Sequence, residues 1–275
     1  MAFIFMGAAL LPLNKYVKAI LMVLILAAGC LFYHLENKNY NGNPVSRFWN
    51  NITIWDDDDE DDAEAEDFID PEQHFSAPYQ ELEKASLDVE VGACDINLGE
   101  PCAELAKADI ESNFVKYSFK TEIGDNDASL YLTGKGHTKN LKGNNTNEVN
   151  IALNQHSLWD FTLDMGAADA NLDFSPYRMN NIEINGGACD IDLKLGDSGC
   201  DTHVEINTGV SDIDIKIPEG VDCEIQMESA ITDKDFVGFE KIERGLWRTP
   251  NFGEGNSRIT MNLSCAVSDV SVKRY

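Results

Sequence analysis

Asp95, Asp169, Asp190, Asp212 and Asp269 each close a similar short phrase: GACD (92–95), GAAD (166–169), GACD (187–190), GVSD (209–212) and AVSD (266–269). Carboxylates repeated in one context suggest two chemistries. Oxygen-rich clusters bind hard cations such as calcium. Paired carboxylates do acid–base work on glycans, and Asp190 with Asp192, like Asp212 with Asp214, would project to the same side of a strand. A third role is structural, because an aspartate in a turn accepts hydrogen bonds from backbone N–H groups.

The spacing favours the structural role. The calcium-binding repeat GGxGxDxUx needs its aspartate sixth from the first glycine, whereas Asp190 stands fifth from Gly186 and Cys189 breaks the second glycine pair. A glycan site would need basic or aromatic platforms, and the neighbouring strand faces offer few. The five histidines (His34, His74, His137, His156, His203) show no HExxH or H-x3-H spacing, and the chain has no GxSxG, phosphate loop or dinucleotide fingerprint. No enzyme, cofactor or metal is expected.

One further group of residues suits contact rather than catalysis. FEKIERGLWRTPNFG (239–253) gathers Lys241, Arg244 and Arg248 with Trp247 and Phe252 in an otherwise acidic chain. Arginine and aromatic side chains are enriched at interfaces. The alternative is an irregular cap over the end of the fold with Trp247 in its core.

The elements that position these residues are strands. Leu87, Val89 and Val91 alternate with Asp88 and Glu90, and Ile182, Ile184, Val204 and Ile206 alternate around acidic residues. Across each phrase the alternation slips by one. Inward positions run odd to Ala93 and then even at Ile96 and Leu98. Phe161, Leu163, Met165 and Ala167 give way to Ala170, Leu172 and Phe174; Ile182 and Ile184 to Ile191, Leu193 and Leu195; Val204, Ile206, Thr208 and Val210 to Ile213, Ile215 and Ile217; Met261, Leu263, Cys265 and Val267 to Val270 and Val272. A slip turns an apolar face to water unless the chain bends, so each phrase marks a corner. Asp169 to Asp190 is 21 residues and Asp190 to Asp212 is 22. Regular corners indicate stacked coils of an all-β solenoid; a two-sheet sandwich is the alternative.

The rest of the chain is read as an anchor and a tether. YVKAILMVLILAAGCLFY (16–33) is apolar from Ala19 and suits a membrane-spanning helix with interfacial tyrosines. LAAGC (26–30) would alternatively make Cys30 a lipoprotein cleavage site, and residues 1–13 are a second apolar stretch, short for a span. Lys15 and Lys18 precede the helix, so a single pass leaves the large domain outside the cytoplasm. WDDDDEDDAEAEDFID (55–70) repels itself into an extended segment. The expected division is an anchor over 1–34, an acidic linker over 35–84 and the β-solenoid over 85–275. A net charge of −27 argues against nucleic acid as a partner. Of seven cysteines, Cys94 and Cys189 share a slot with Ala168, Ser211 and Ser268, Cys265 faces inward and Cys30 lies in the helix; Cys102, Cys200 and Cys223 remain as candidates for pairing.

The basic start, the helix ending in GCLF, the polar linker and the copies of GACDIxL together resemble the bacterial toast-rack family, a domain of membrane proteins in the response to cell-wall-active antibiotics. That resemblance covers about residues 15–35 and 85–275. It implies a short single-handed β-solenoid attached to the cell membrane, acting through a protein partner in the envelope, in stress signalling rather than catalysis; homo-oligomers are compatible with it. A surface adhesin or carbohydrate binder is the alternative, and a glycan-active solenoid enzyme a further one.

Overall fold

The computed structural model of the chain describes residues 70–136, 146–250, 252–253, 255 and 257–275. The segments read as membrane helix, lipoprotein site and acidic run, together with His34 and His137, lie outside the described residues. Within the described residues there is no helix; the regular elements are β1 (Glu72–Ala77), β2 (Lys84–Leu98), β3 (Ala106–Ser112), β4 (Val115–Ile123), β5 (Asp127–Gly136), β6 (Asn147–Leu153), β7 (Leu158–Asp173), β8 (Arg178–Lys194), β9 (Thr202–Ile217), β10 (Asp222–Phe236), β11 (Glu240–Glu243), β12 (Leu246–Arg248) and β13 (Arg258–Arg274).

Six long strands run parallel in the order β2-β7-β8-β9-β13-β10. Their connections require each to be folded in half. Leu158 is paired with Arg178, only five residues beyond the end of β7. Five residues reach about 17 Å, whereas a straight 16-residue strand would carry Asp173 about 50 Å from Leu158. Each strand therefore doubles back and makes one flattened coil. Phe161, before the bend, meets Phe174, after it, edge to face with 5.1 Å between ring centroids, so both halves line one interior.

The bend lies within continuous strands. Phe161, Leu163 and Met165 are buried before it, and Ala168, Ala170 and Leu172 after it; Ile96, Ile191, Ile213 and Val270 are likewise buried. The reversal comes earlier than alternation suggests. Ala93 is exposed and Ala167, Val210 and Val267 are half-exposed, while the next residue, Cys94, Ala168, Ser211 or Ser268, turns inward. Cross-strand pairing steps over Gly92, Gly166, Gly187, Gly209 and Ala266, which stack at the bend. None of these glycines has positive φ. They are small because the coils close on one another there: a Cβ on Gly166, Gly187 or Gly209 would lie 3.2, 2.6 or 2.7 Å from the carbonyl oxygen of the glycine in the adjacent coil.

At β2 the sheet forks. Lys84–Glu90 pair with β5, which carries β4, and Asp95–Leu98 pair with β6, which carries β3 and β1. β1 lies inside the stretch read as linker, so the folded part starts about a dozen residues earlier than expected. EQHFSA buries only Ala77 fully, and so short and polar a strand leaves no periodic signal. β13, last in the chain, is inserted between β9 and β10.

Candidate interaction surface

Each corner aspartate follows the small inward residue and so points outward just past the bend. In-register pairing joins all five into one column, Asp95-Asp169-Asp190-Asp212-Asp269, and extends it at both ends: Asp233 adjoins Asp269, and Glu148, Glu111 and Glu72 continue beyond Asp95. Nine carboxylates thus stand on successive strands, about 4.8 Å apart, where neighbouring charges repel by about 1 kcal/mol even in water. Asp233 was legible in the sequence, because AITD (230–233) repeats the corner phrase. The three glutamates come from straight strands whose register no local pattern announces.

Burial, with repulsion second, raises the pKa of two of these carboxylates. Burial, reinforced by Asp169 and Glu148, raises the Asp95 pKa. Burial together with Asp169 and Asp212 does the same for Asp190, partly offset by a backbone hydrogen bond at Asp212. On the other half of the coils the carboxylates are interleaved with amides. Asn185 Nδ2 donates to Asp164 Oδ1 at 2.9 Å and Asn207 Nδ2 to Asn185 Oδ1 at 3.1 Å. Burial nevertheless raises Asp88, Glu90 and Asp164. In the opposite direction, the Lys107 hydrogen bond lowers Asp109; Asp173 is also lowered, because bonds from Ser175 and Lys194 outweigh its burial.

A group whose folded pKa is raised favours the folded state when protonated, and that advantage fades as pH rises through the folded value. The five raised carboxylates outnumber the two lowered ones, whose loss comes only near or below their ordinary 3.8. The Tm is therefore expected to rise as pH falls from 7 towards the carboxylate range, and to rise with salt at pH 7. Differential scanning calorimetry checks both, and a Tm that falls over that range would contradict the charge assignment.

The second group singled out in the sequence lies at the far end of the stack. β12 pairs with Glu224–Gln226 of β10, and β11 pairs with β12. Trp247 stands in register with the buried Ile225, covers that end of the core and meets Phe236 edge to face at 5.0 Å. Lys241 Nζ lies 5.6 Å from the Trp247 ring centre. Arg248 is paired with Glu224, and its guanidinium stacks 4.7 Å from Phe252. Arg244 is exposed in the turn before Gly245, whose φ of 80° suits glycine. Lys241, Trp247, Arg248 and Phe252 thus form the cap, with Arg244 at its rim.

Other chemistry has little to work with among the described residues. No group of three or more His, Cys, Asp or Glu side chains is placed to hold a metal ion. His74 pairs with Asp109 at 2.8 Å, His156 lies edge-on to Tyr79, and His203 sits half-buried beside Asn181 and Thr260. Cys102, Cys200 and Cys223, the candidates for pairing, are free thiols, as are Cys94, Cys189 and Cys265. Burial pushes Cys94 and Cys189 up to about 12 and raises Cys223 further. A shallow open depression beside Asn97, Lys107, Asp109 and Asn150 measures about 220 Å³, below the roughly 300 Å³ at which small-molecule pockets begin.

Comparison with known proteins adds the following. A family model described as the N-terminal domain of toast_rack, DUF2154, matches residues 61–216, more than half of the chain. No curated protein matches. A crystal structure from Clostridium sporogenes, described as a candidate cell adhesion protein, is 21% identical with a TM-score of 0.68, over 74% of this chain and 99% of that one. A candidate adhesin from Bacteroides fragilis is 8% identical with a TM-score of 0.30, over 74% of this chain and 96% of that one.

Proposed function

The chain belongs to the toast-rack family, and on that premise we propose that it is a membrane-anchored, non-catalytic β-solenoid that makes protein contacts in the bacterial envelope during the response to wall damage. The observation carrying this reading is the unbroken column of nine carboxylates on an exposed wall. Such a column is costly to keep unless a positively charged surface meets it, and it creates no pocket for a small substrate. The anchor is the helix expected at 16–33 and the tether is the acidic run, which together hold the solenoid near the membrane, outside the cytoplasm.

The test reverses charge in mid-column. With wall synthesis blocked, the full-length chain carrying Asp169→Lys, Asp190→Lys and Asp212→Lys is expected to reach normal abundance and to lose the downstream transcriptional response. An unchanged response would overturn the signalling role. Loss of glycan turnover in Asp190→Asn or Asp212→Asn at normal stability would mark an enzyme instead. Likeness to the Clostridium sporogenes fold supports a second reading, an adhesin. An adhesin would be cleaved by protease added to whole cells, and removing it would lower cell attachment without altering the antibiotic response.

A further inference from the structure

The stack is closed over only half of its far end. β12 covers β10 at Glu224–Gln226, and Met227 N donates to Gly245 O at 2.8 Å. From Glu228 to Phe236, β10 pairs with β13 on one side, and among the described residues no strand pairs with its other side. An open strand edge offers a row of backbone donors and acceptors to any extended chain.

We propose that this edge is a docking site for an extended segment of a partner protein in which apolar and basic residues alternate, added to the sheet as its next coil. Ile231, Asp233 and Asp235 face outward here, and Ile231 is 70% exposed. Ile231 ends an in-register outer row, Ala93-Ala167-Ala188-Val210-Val267-Ile231, that grows in size towards this end. Asp233 ends the carboxylate column, and a cation laid beside it feels the charges behind it as well. An added strand places its side chains in these same rows, so the complementary order sets Lys or Arg outward beside Asp233 and Asp235 and apolar residues at the inward positions between them. Its inward residues would cover Phe236, whose ring already rests against Trp247, and Lys234, whose Nζ is 5.5 Å from the Trp247 ring centre.

A second copy of the chain fits poorly. The opposite end of this half of the sheet is β1, where Glu72 belongs to the same column, so head-to-tail stacking sets Glu72 against Asp233. A two-fold pairing centred on Lys234 sets Asp233 of one copy against Asp235 of the other. The partner's chemistry named here rests on the contact role proposed above.

The test uses the purified full-length chain and two synthetic peptides, one alternating valine with lysine and one alternating valine with glutamate. The lysine peptide is expected to bind saturably, to protect backbone amides of Glu228–Phe236 from hydrogen exchange, and to weaken about tenfold between about 0.05 and 0.5 M salt. Asp233→Lys with Asp235→Lys should weaken it at least tenfold and admit the glutamate peptide, with amide protection in β7–β9 unchanged as the check on folding. The proposal is overturned if the double variant binds both peptides like the parent, if protection appears along Asp95–Asp269 instead, or if the edge is protected without peptide in a sedimenting dimer. In cells, a photo-crosslinking side chain at position 231 and another at Asn171 separate the two readings. Products from 171 alone overturn the docking edge and keep the contact role; products from neither overturn both.

Discussion

Gly187→Ala is expected to destabilise the folded chain by about 3 kcal/mol or more, while Gly92→Ala stays within about 1 kcal/mol of the parent and on the stabilising side. The two glycines occupy the same slot in successive copies of the same four-letter phrase, so local sequence gives no reason for them to differ. Their surroundings do. A Cβ at Gly187 would stand 2.6 Å from the carbonyl oxygen of Gly166, backbone that can retreat only by opening the ladder on both sides. A Cβ at Gly92 meets nothing within 4 Å, and the methyl group would only restrict the unfolded chain. Urea unfolding followed by tryptophan fluorescence measures both changes. Equal losses would mean that the corners need glycine for the bend itself rather than for the close approach of neighbouring coils. Ala266 occupies the same slot in β13, so the step from β9 to β13 accepts a methyl, whereas Gly209→Ala, whose Cβ would stand 2.7 Å from the Gly187 carbonyl oxygen, should cost about as much as Gly187→Ala.

Trp159→Ala should cost about 3–5 kcal/mol. Trp159 is fully buried, among the largest side chains of the core, and its Nε1 donates to the Asn154 carbonyl at 2.8 Å. That carbonyl belongs to a junction: Asn154 N donates to Leu105 O, and its side-chain amide donates to the carbonyls of Cys102 and Glu104. The indole therefore fills the coil and ties it to the segment leading into β3. Trp159→Phe keeps most of the packing but strands the carbonyl, so its loss should be about 1–3 kcal/mol. Calorimetric unfolding of the two variants separates the terms; if they lose the same amount, the hydrogen bond rather than the volume is what holds the site.

How much of this was readable beforehand depended on whether the cause was local. The corners were legible because a change of phase in alternation is a property of a few adjacent residues, and a phase change in a strand with one buried face has few physical outcomes. Their placement erred by a residue or two: Ala93, Ala167, Val210 and Val267 are apolar, so pattern alone assigned them inward, while the bend throws them outward and pulls Cys94 or Ala168 in. The column was legible for Asp169, Asp190 and Asp212 from their equal spacing, while Asp95 and Asp269 were tied to it only by the shared corner phrase. Its extension through Glu148, Glu111 and Glu72 was not legible, since it depends on β6, β3 and β1 joining the fork at β2, which is a matter of tertiary pairing. β1 itself, with one fully buried residue in six, could not be told from the linker before it. The cap residues were readable as a cluster of cations and aromatics, but that Trp247 would cover one half of the end and leave the other open required the register of β10.

The insertion of β13 between β9 and β10 bears on biosynthesis. Coils from β2 to β9 can be laid down in the order in which the ribosome delivers them, each on the one before. β10 then emerges with no neighbour to lean on, because the strand that separates it from β9 is still being translated some twenty residues behind. Until that strand arrives, the nascent protein holds two unsatisfied edges facing a gap one strand wide, the kind of intermediate that chaperones must shield. A message truncated before Arg258 would therefore leave the stack unable to close, however complete its earlier coils.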